Sequence, residues 1–233
     1  MSKKVVIEPV KNLNELATFY GLELDDEQKK FRDDIYNKDK LIIFCNAKSG
    51  TGKTTISVGV ADIMCKCGMY DKIVYIASPT QEQKQGYLKG SLEEKSAPYF
   101  EPLYDAMVEL GIPESSVVSE DNMIGQKEGR AYIYCTTHTY LRGVNFKNSV
   151  VIIDEAQNFY KDELKKTLTR IHDNCKVIVI GHTGQVDLYS HPERSGFIMY
   201  MNHFKNTNDD RVSICNLTSN YRGWISTVAD SLD

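Results

Sequence analysis

The sequence predicts an α/β fold in which a mainly parallel central sheet carries helices on both faces. Three observations lead to it. Short apolar runs recur at 41–45, 72–77, 130–135, 149–154, 176–181 and 211–215, and runs this short and continuous suit strands covered on both sides. Segments with helical spacing alternate with them, at 25–36, 53 to about 68, 98–110 and 161–172, the order that builds parallel sheets. Polar groups gather where strands end: a glycine-rich turn follows 41–45, and Asp154 and Glu155 close 149–154. Ligands of open α/β sheets bind beyond the carboxyl ends of strands.

The elements follow in order. Asp25, Asp26 and Glu27 open the first helix, where acids suit the positive end of the helix dipole. After the strand at 41–45 and its turn, a helix runs from Lys53 to a stop near Gly68. The strand at 72–77 leads into a long loop over 78–96, broken at Gly86 and Gly90, before the helix at 98–110. Strands at 130–135 and 149–154 precede the helix at 161–172, and strands at 176–181 and 211–215 complete the sheet.

With 233 residues, 41% hydrophobic and 26% charged, the chain can bury the core of one globular domain. It is read as a preface over 1–24 and a single domain over 25–233. No run of eighteen apolar residues occurs, so no transmembrane helix is expected. The opening Met1-Ser2-Lys3-Lys4-Val5 lacks the apolar stretch of a signal peptide, and a cytoplasmic location is expected. A net charge of −4 argues against a protein whose whole surface coats nucleic acid, while leaving room for a local basic groove. The six cysteines fall mostly within apolar runs and read as buried free thiols. Cys65 and Cys67, two apart on a helix, point away from each other and do not form a metal pair.

The turn Ala47-Lys48-Ser49-Gly50-Thr51-Gly52-Lys53-Thr54-Thr55 has the spacing of a phosphate-binding loop, with Ala47 in place of the first glycine. Gly50 and Gly52 let backbone N–H groups approach phosphate oxygens without a Cβ in the way. Lys53 supplies a point charge for the β- and γ-phosphates, and the Thr54 hydroxyl a ligand for magnesium. The strand–turn–helix setting is the one this motif requires. ATP and Mg2+ are the expected ligands.

Asp154 stands where it would hold magnesium through water, and Glu155 where it would polarise the attacking water. Alternating helices and the intervening strand at 130–135 lie between the two motifs, an arrangement expected of a RecA-like P-loop NTPase domain, whose acid-bearing strand is not adjacent to the phosphate-loop strand. Gln185 follows the strand at 176–181 and is a candidate to sense the γ-phosphate or orient water. Arg142 and Arg222 are candidates to stabilise charge on the transferring phosphoryl group. Gln28 is a candidate to read an adenine edge. His182 is assigned no role.

Together these residues resemble the PhoH family, nucleotide triphosphatases related to the first domain of superfamily-one helicases. The resemblance runs from about 28 to 222 and includes Gly86-Tyr87-Leu88-Lys89-Gly90, Tyr140-Leu141-Arg142-Gly143, Asp154-Glu155-Ala156-Gln157-Asn158, Leu168-Thr169-Arg170-Ile171 and the segment 181–188. His182 stands where the family usually has Asp, and Ser78 where it usually has Arg. Asn220-Tyr221-Arg222 looks more like a helicase motif. The longer N-terminal region of cellular members is missing, which suggests a compact, phage-encoded or accessory member. The resemblance implies ATP hydrolysis and a role on RNA or single-stranded DNA.

Three function classes follow. An ATPase acting on nucleic acid would use the lysines Lys84, Lys89 and Lys95 and the ring of Tyr87 in the loop 81–95. A small-molecule kinase would use the same phosphate loop. A nucleotide-gated interaction module would turn over slowly. With one such domain, a neighbouring subunit is expected to close the site, as a homo-oligomeric ring such as a hexamer, with Arg222 or Arg142 donated across the interface.

Overall fold

The computed structural model describes residues 13, 19–79, 97–119, 122–141, 143–186, 188 and 192–229. The elements are α1 (Asp26–Tyr36), β1 (Ile42–Ala47), α2 (Lys53–Lys66), β2 (Lys72–Ala77), α3 (Glu101–Glu109), α4 (Met123–Lys127), β3 (Ile133–Thr137), β4 (Ser149–Ile153), α5 (Lys161–Leu168), β5 (Lys176–Gly181), α6 (Gly196–Lys205), β6 (Val212–Leu217) and α7 (Trp224–Ala229). The strands form one six-stranded sheet in the order β3-β2-β4-β5-β1-β6, and every pairing is parallel. This is the RecA-like α/β arrangement. β5 lies between β1 and β4, so the strand that leads into the phosphate loop and the strand that ends at Asp154 are not neighbours.

The sheet buries a core on each face. On one, Phe31, Ile35, Ile56, Met64, Leu103 and Met107 of α1, α2 and α3 cover Ile43, Cys45, Tyr75 and Ile180. On the other, Phe159, Leu164 and Phe197 cover Phe44, Val151, Ile153 and Val179. Burial on both faces explains why the strands read as continuous apolar runs instead of alternating ones. The six cysteines are free thiols, five of them buried.

Several boundaries differ from the sequence expectation. β3 starts three residues later and ends two later than 130–135, because its ladder with β2 aligns Ile73 with Ile133 and Ala77 with Thr137; Thr136 and Thr137 carry no apolar signal. β6 runs on to Leu217 because Asn216 and Leu217 stay in register with Asn46 and Ala47. The helix expected to reach 172 stops at Leu168, and Ile171 instead bridges Phe146. α3 starts at Glu101, after a 3-10 turn over Ala97–Phe100, with Pro102 in its first turn where a missing N–H is harmless. The loop 81–95 lies outside the described residues.

The stretch before α1 packs on the domain. Leu13 and Phe19 are buried, and the Phe19 ring lies against Gly59, where an added Cβ would meet it at 2.8 Å. Asp62 of α2 is fully buried. It accepts hydrogen bonds from the Tyr20 and Tyr132 hydroxyls and pairs with Lys66 at 2.7 Å, tying the early segment and the start of β3 to one helix. Asp62→Ala leaves two partly buried hydroxyls and an ammonium without their acceptor. It is expected to lower stability by about 3 kcal/mol, read as an earlier urea midpoint at unchanged m-value.

Candidate functional site

At the end of β1, Ala47 is buried beside Leu217, and the chain turns through Gly50 (φ 76°) and Gly52 (φ 78°) into α2. Both glycines occupy the left-handed region, where a side chain is strained. Space demands them too. A Cβ on Gly50 would lie 2.6 Å from Asn220 Oδ1 and 2.8 Å from Arg222 Cγ, and one on Gly52 would lie 3.2 Å from Gln28 Nε2. The Thr51 hydroxyl donates to the Lys48 carbonyl at 3.0 Å, bracing the turn. Gly52 is the N-cap of α2 and supplies no side-chain cap, so the first N–H groups of the helix are open to an anion.

Lys53 and Thr54, the first residues of α2, face the end of β4. Lys53 Nζ lies 3.3 Å from Glu155 Oε1 with its side chain 12% exposed. Burial works against its charge, but the fields of Asp154 and Glu155 hold the ammonium above the ordinary lysine pKa. Asp154 is fully buried and accepts from the Thr54 hydroxyl at 2.8 Å and the Tyr75 hydroxyl at 2.6 Å. Its other oxygen accepts from the Glu155 N–H at 2.7 Å. Burial, reinforced by the Glu155 charge, pushes its carboxyl above the usual carboxylate range against the pull of Lys53. Glu155 has φ 49° and ψ 40°, a left-handed conformation that costs a non-glycine residue of order 1–3 kcal/mol and clusters at functional sites.

A strap after β6 closes over the turn. Thr218 donates through its N–H and hydroxyl to Glu27 Oε2 at 2.8 and 2.9 Å. The Tyr221 N–H donates to the Gly50 carbonyl at 2.8 Å, and its hydroxyl to Asp25 Oδ2 at 2.6 Å. Arg222 Nη1 donates to the Ser49 hydroxyl at 2.5 Å. The Arg222 guanidinium thus lies against the glycine turn of its own chain.

Gln28 is buried behind the same turn. It forms a capping box with Asp25, whose carboxylate accepts from the Gln28 N–H at 2.7 Å while the Gln28 amide oxygen accepts from the Asp25 N–H at 3.0 Å. Its amide nitrogen donates to the Thr51 carbonyl at 2.9 Å. Only one N–H and one lone pair of this amide remain for any other partner.

These residues border a cleft of about 520 Å3, whose far wall is the acidic face of α3, Glu101, Asp105 and Glu109. The Thr55 hydroxyl turns to that wall and donates to Glu109 Oε2 at 2.8 Å. Gln185 sits exposed on the turn after β5 and is not part of the cleft wall. Arg142 lies outside the described residues. Ser78 is buried and donates to the Asn158 carbonyl at 3.1 Å. The contacts of Tyr75 and Tyr221 have no signal in the sequence, because a strand tyrosine and a loop tyrosine carry no spacing pattern; the Asp25–Gln28 spacing, by contrast, is a capping-box signature that the sequence reading did not use.

The arrangement suits a polyphosphate: open helix N–H groups and a lysine on one side, a buried carboxylate with a hydroxyl beside it, and a second carboxylate at the rim. Comparison with known proteins gives the family. The family PhoH, described as PhoH-like protein, matches residues 23–223. Protein PhoH of Escherichia coli is 37% identical over 153 residues, 65% of this chain and 41% of that protein. A PhoH-like protein of Synechocystis is 34% identical over 157 residues, 66% of this chain and 45% of that protein. A PhoH-like protein of Bacillus subtilis is 35% identical over 150 residues, 63% and 44% respectively. The matched stretch spans less than half the length of each relative. Among the described residues, no helix is long and apolar enough to cross a membrane.

Proposed function

This chain belongs to the PhoH family, and on that premise we propose that it binds ATP with Mg2+ and hydrolyses it, coupled to binding or remodelling of single-stranded RNA or DNA. The observation that carries the reading is the meeting of Lys53 with Glu155 at 3.3 Å, and of Thr54 with Asp154 at 2.8 Å, beneath two left-handed glycines. Lys53 and the backbone N–H groups of the glycine turn bind the β- and γ-phosphates. Glu155 accepts the proton of the attacking water.

The donor set fits a hard divalent cation: a hydroxyl and a buried carboxylate oxygen side by side. Thr54 directly and Asp154 through water would hold the cation, which would supply charge neutralisation at the phosphate oxygens. Arg222, against Ser49 in its own chain, is placed by this reading to stabilise the transferring phosphoryl group in cis, while Arg142 is the candidate for donation from a neighbouring subunit. Gln185 orients water only if the turn after β5 moves toward the cleft.

Lys84, Lys89, Lys95 and Tyr87 support a polynucleotide, as cations for phosphates and a ring for stacking. Trp224, Ile225 and Val228 of α7, all exposed beside the strap, support a homo-oligomer, with a ring as the proposed form. The test is phosphate release from ATP with and without Mg2+, against a panel of single-stranded RNA, single-stranded DNA and duplexes. Magnesium-dependent release that single strands accelerate is expected. Release indifferent to every polynucleotide removes the coupling, and no release under any condition overturns the enzyme.

A further inference from the structure

The proposed chemistry leaves Gln157, a buried polar side chain beside Glu155, without a task. Gln157 is 1% exposed and lies two residues past Glu155, in the short 3-10 turn Ala156–Asn158. Its amide nitrogen donates to Glu155 Oε2 at 2.6 Å. Its amide oxygen accepts from the His182 N–H at 3.0 Å. The two contacts settle the orientation of the amide: a backbone N–H needs the oxygen and a carboxylate needs the nitrogen. Gln157 thereby joins the end of β4 to the turn that leaves β5.

That junction is built tightly. A Cβ on Gly181 would lie 2.6 Å from the Gln157 amide oxygen and 3.0 Å from its backbone nitrogen, so the glycine makes room for the amide. The same turn is held from the other side, where the Thr183 N–H donates to Asn46 Oδ1 at 3.0 Å. The turn that carries Gln185 is therefore pinned between the ends of β1 and β4, and one of its two pins also grips the carboxylate of Glu155.

We propose that Gln157 is the positioning residue that fixes the Glu155 carboxylate and ties it to the turn after β5. The two oxygens of Glu155 have different partners. Oε2 is held by Gln157, while Oε1 faces Lys53 at 3.3 Å. When phosphate draws the Lys53 ammonium away, Oε1 is the oxygen released to accept a proton from water, and Oε2 stays anchored. By anchoring Oε2, Gln157 leaves Oε1 as the oxygen that works, and it steadies the carboxylate on a residue whose left-handed backbone gives it no helical support. Displacement of a reacting group by about 1 Å can cost roughly 100-fold in rate.

The inference rests on Glu155 being the base, so Glu155→Gln is measured in parallel. The decisive variant is Gln157→Met, which keeps length and loses both hydrogen bonds; Gly181→Ala is the second, because it leaves Gln157 in the chain and pushes its amide away. Steady-state ATP turnover with Mg2+ and ATP affinity by titration calorimetry are read on the full chain. Both variants are expected to lose roughly 10- to 100-fold in kcat at unchanged ATP affinity. Parent kcat in Gln157→Met overturns the inference, as does a parallel loss of kcat and affinity, the mark of a merely structural role. If Gln157→Met does not fold, Gly181→Ala decides by the same two readings. A Glu155→Gln chain that turns over at the parent rate removes the base itself, and this inference with it. A dead Glu155→Gln beside a parent-like Gln157→Met rejects Gln157 alone.

Discussion

Glu155→Gln is expected to cut ATP turnover by roughly two to four orders of magnitude, the scale of a lost general base, while ATP stays bound. The amide has the size of the carboxylate and fits the same left-handed position, but it cannot take a proton from water. Binding is expected to hold or tighten, because the Glu155 charge is removed from a cleft that must receive a triphosphate, and it is one of the charges that disfavour ionisation of Asp154. The measurements are phosphate release under saturating ATP and an ATP titration of the same preparation. Hydrolysis at the parent rate would show that Glu155 is not the base.

Lys53→Ala acts on binding instead of chemistry. The ammonium is almost enclosed, and the two neighbouring carboxylates keep it charged throughout the working pH range. Removing it deletes a charge-assisted bond to phosphate worth about 1.5–3 kcal/mol, a factor of roughly 10 to 150 in affinity. It also leaves Asp154 and Glu155 facing the phosphates with no cation from the protein between them, which adds repulsion. A loss of about 100-fold or more in ATP affinity is therefore expected by titration calorimetry. Unchanged affinity would sink the phosphate-loop reading. Retention of the parent melting temperature without ATP shows that the loss belongs to the site and not to the fold.

The two variants separate the parts of the cleft. One acts on the anion that arrives and the other on the water that attacks it, yet the two side chains touch at 3.3 Å. Their effects are not expected to add in a double variant, since residues in contact share their interaction energy.

The features legible before folding were local. The spacing of Gly50, Gly52, Lys53 and Thr54, and the run 149–154 closing on Asp154 and Glu155, were readable because each depends on neighbours within a few residues. Strands buried on both faces show their apolar runs wherever they sit in the sheet, so β2 and β5 were read to the residue. Tertiary structure alone decided the rest. β5 between β1 and β4, the Tyr221 N–H on Gly50, Arg222 on Ser49, Gln28 behind Thr51 and Gln157 beneath His182 all join residues far apart in the chain. Such pairs depend on strand order and register, and no local pattern encodes them. The late end of β3 has the same cause: two threonines join the ladder only because β2 lies alongside them. Helix α7 was not read because six residues make fewer than two turns, too short for the shared face of Trp224, Ile225 and Val228 to stand out as a helical period.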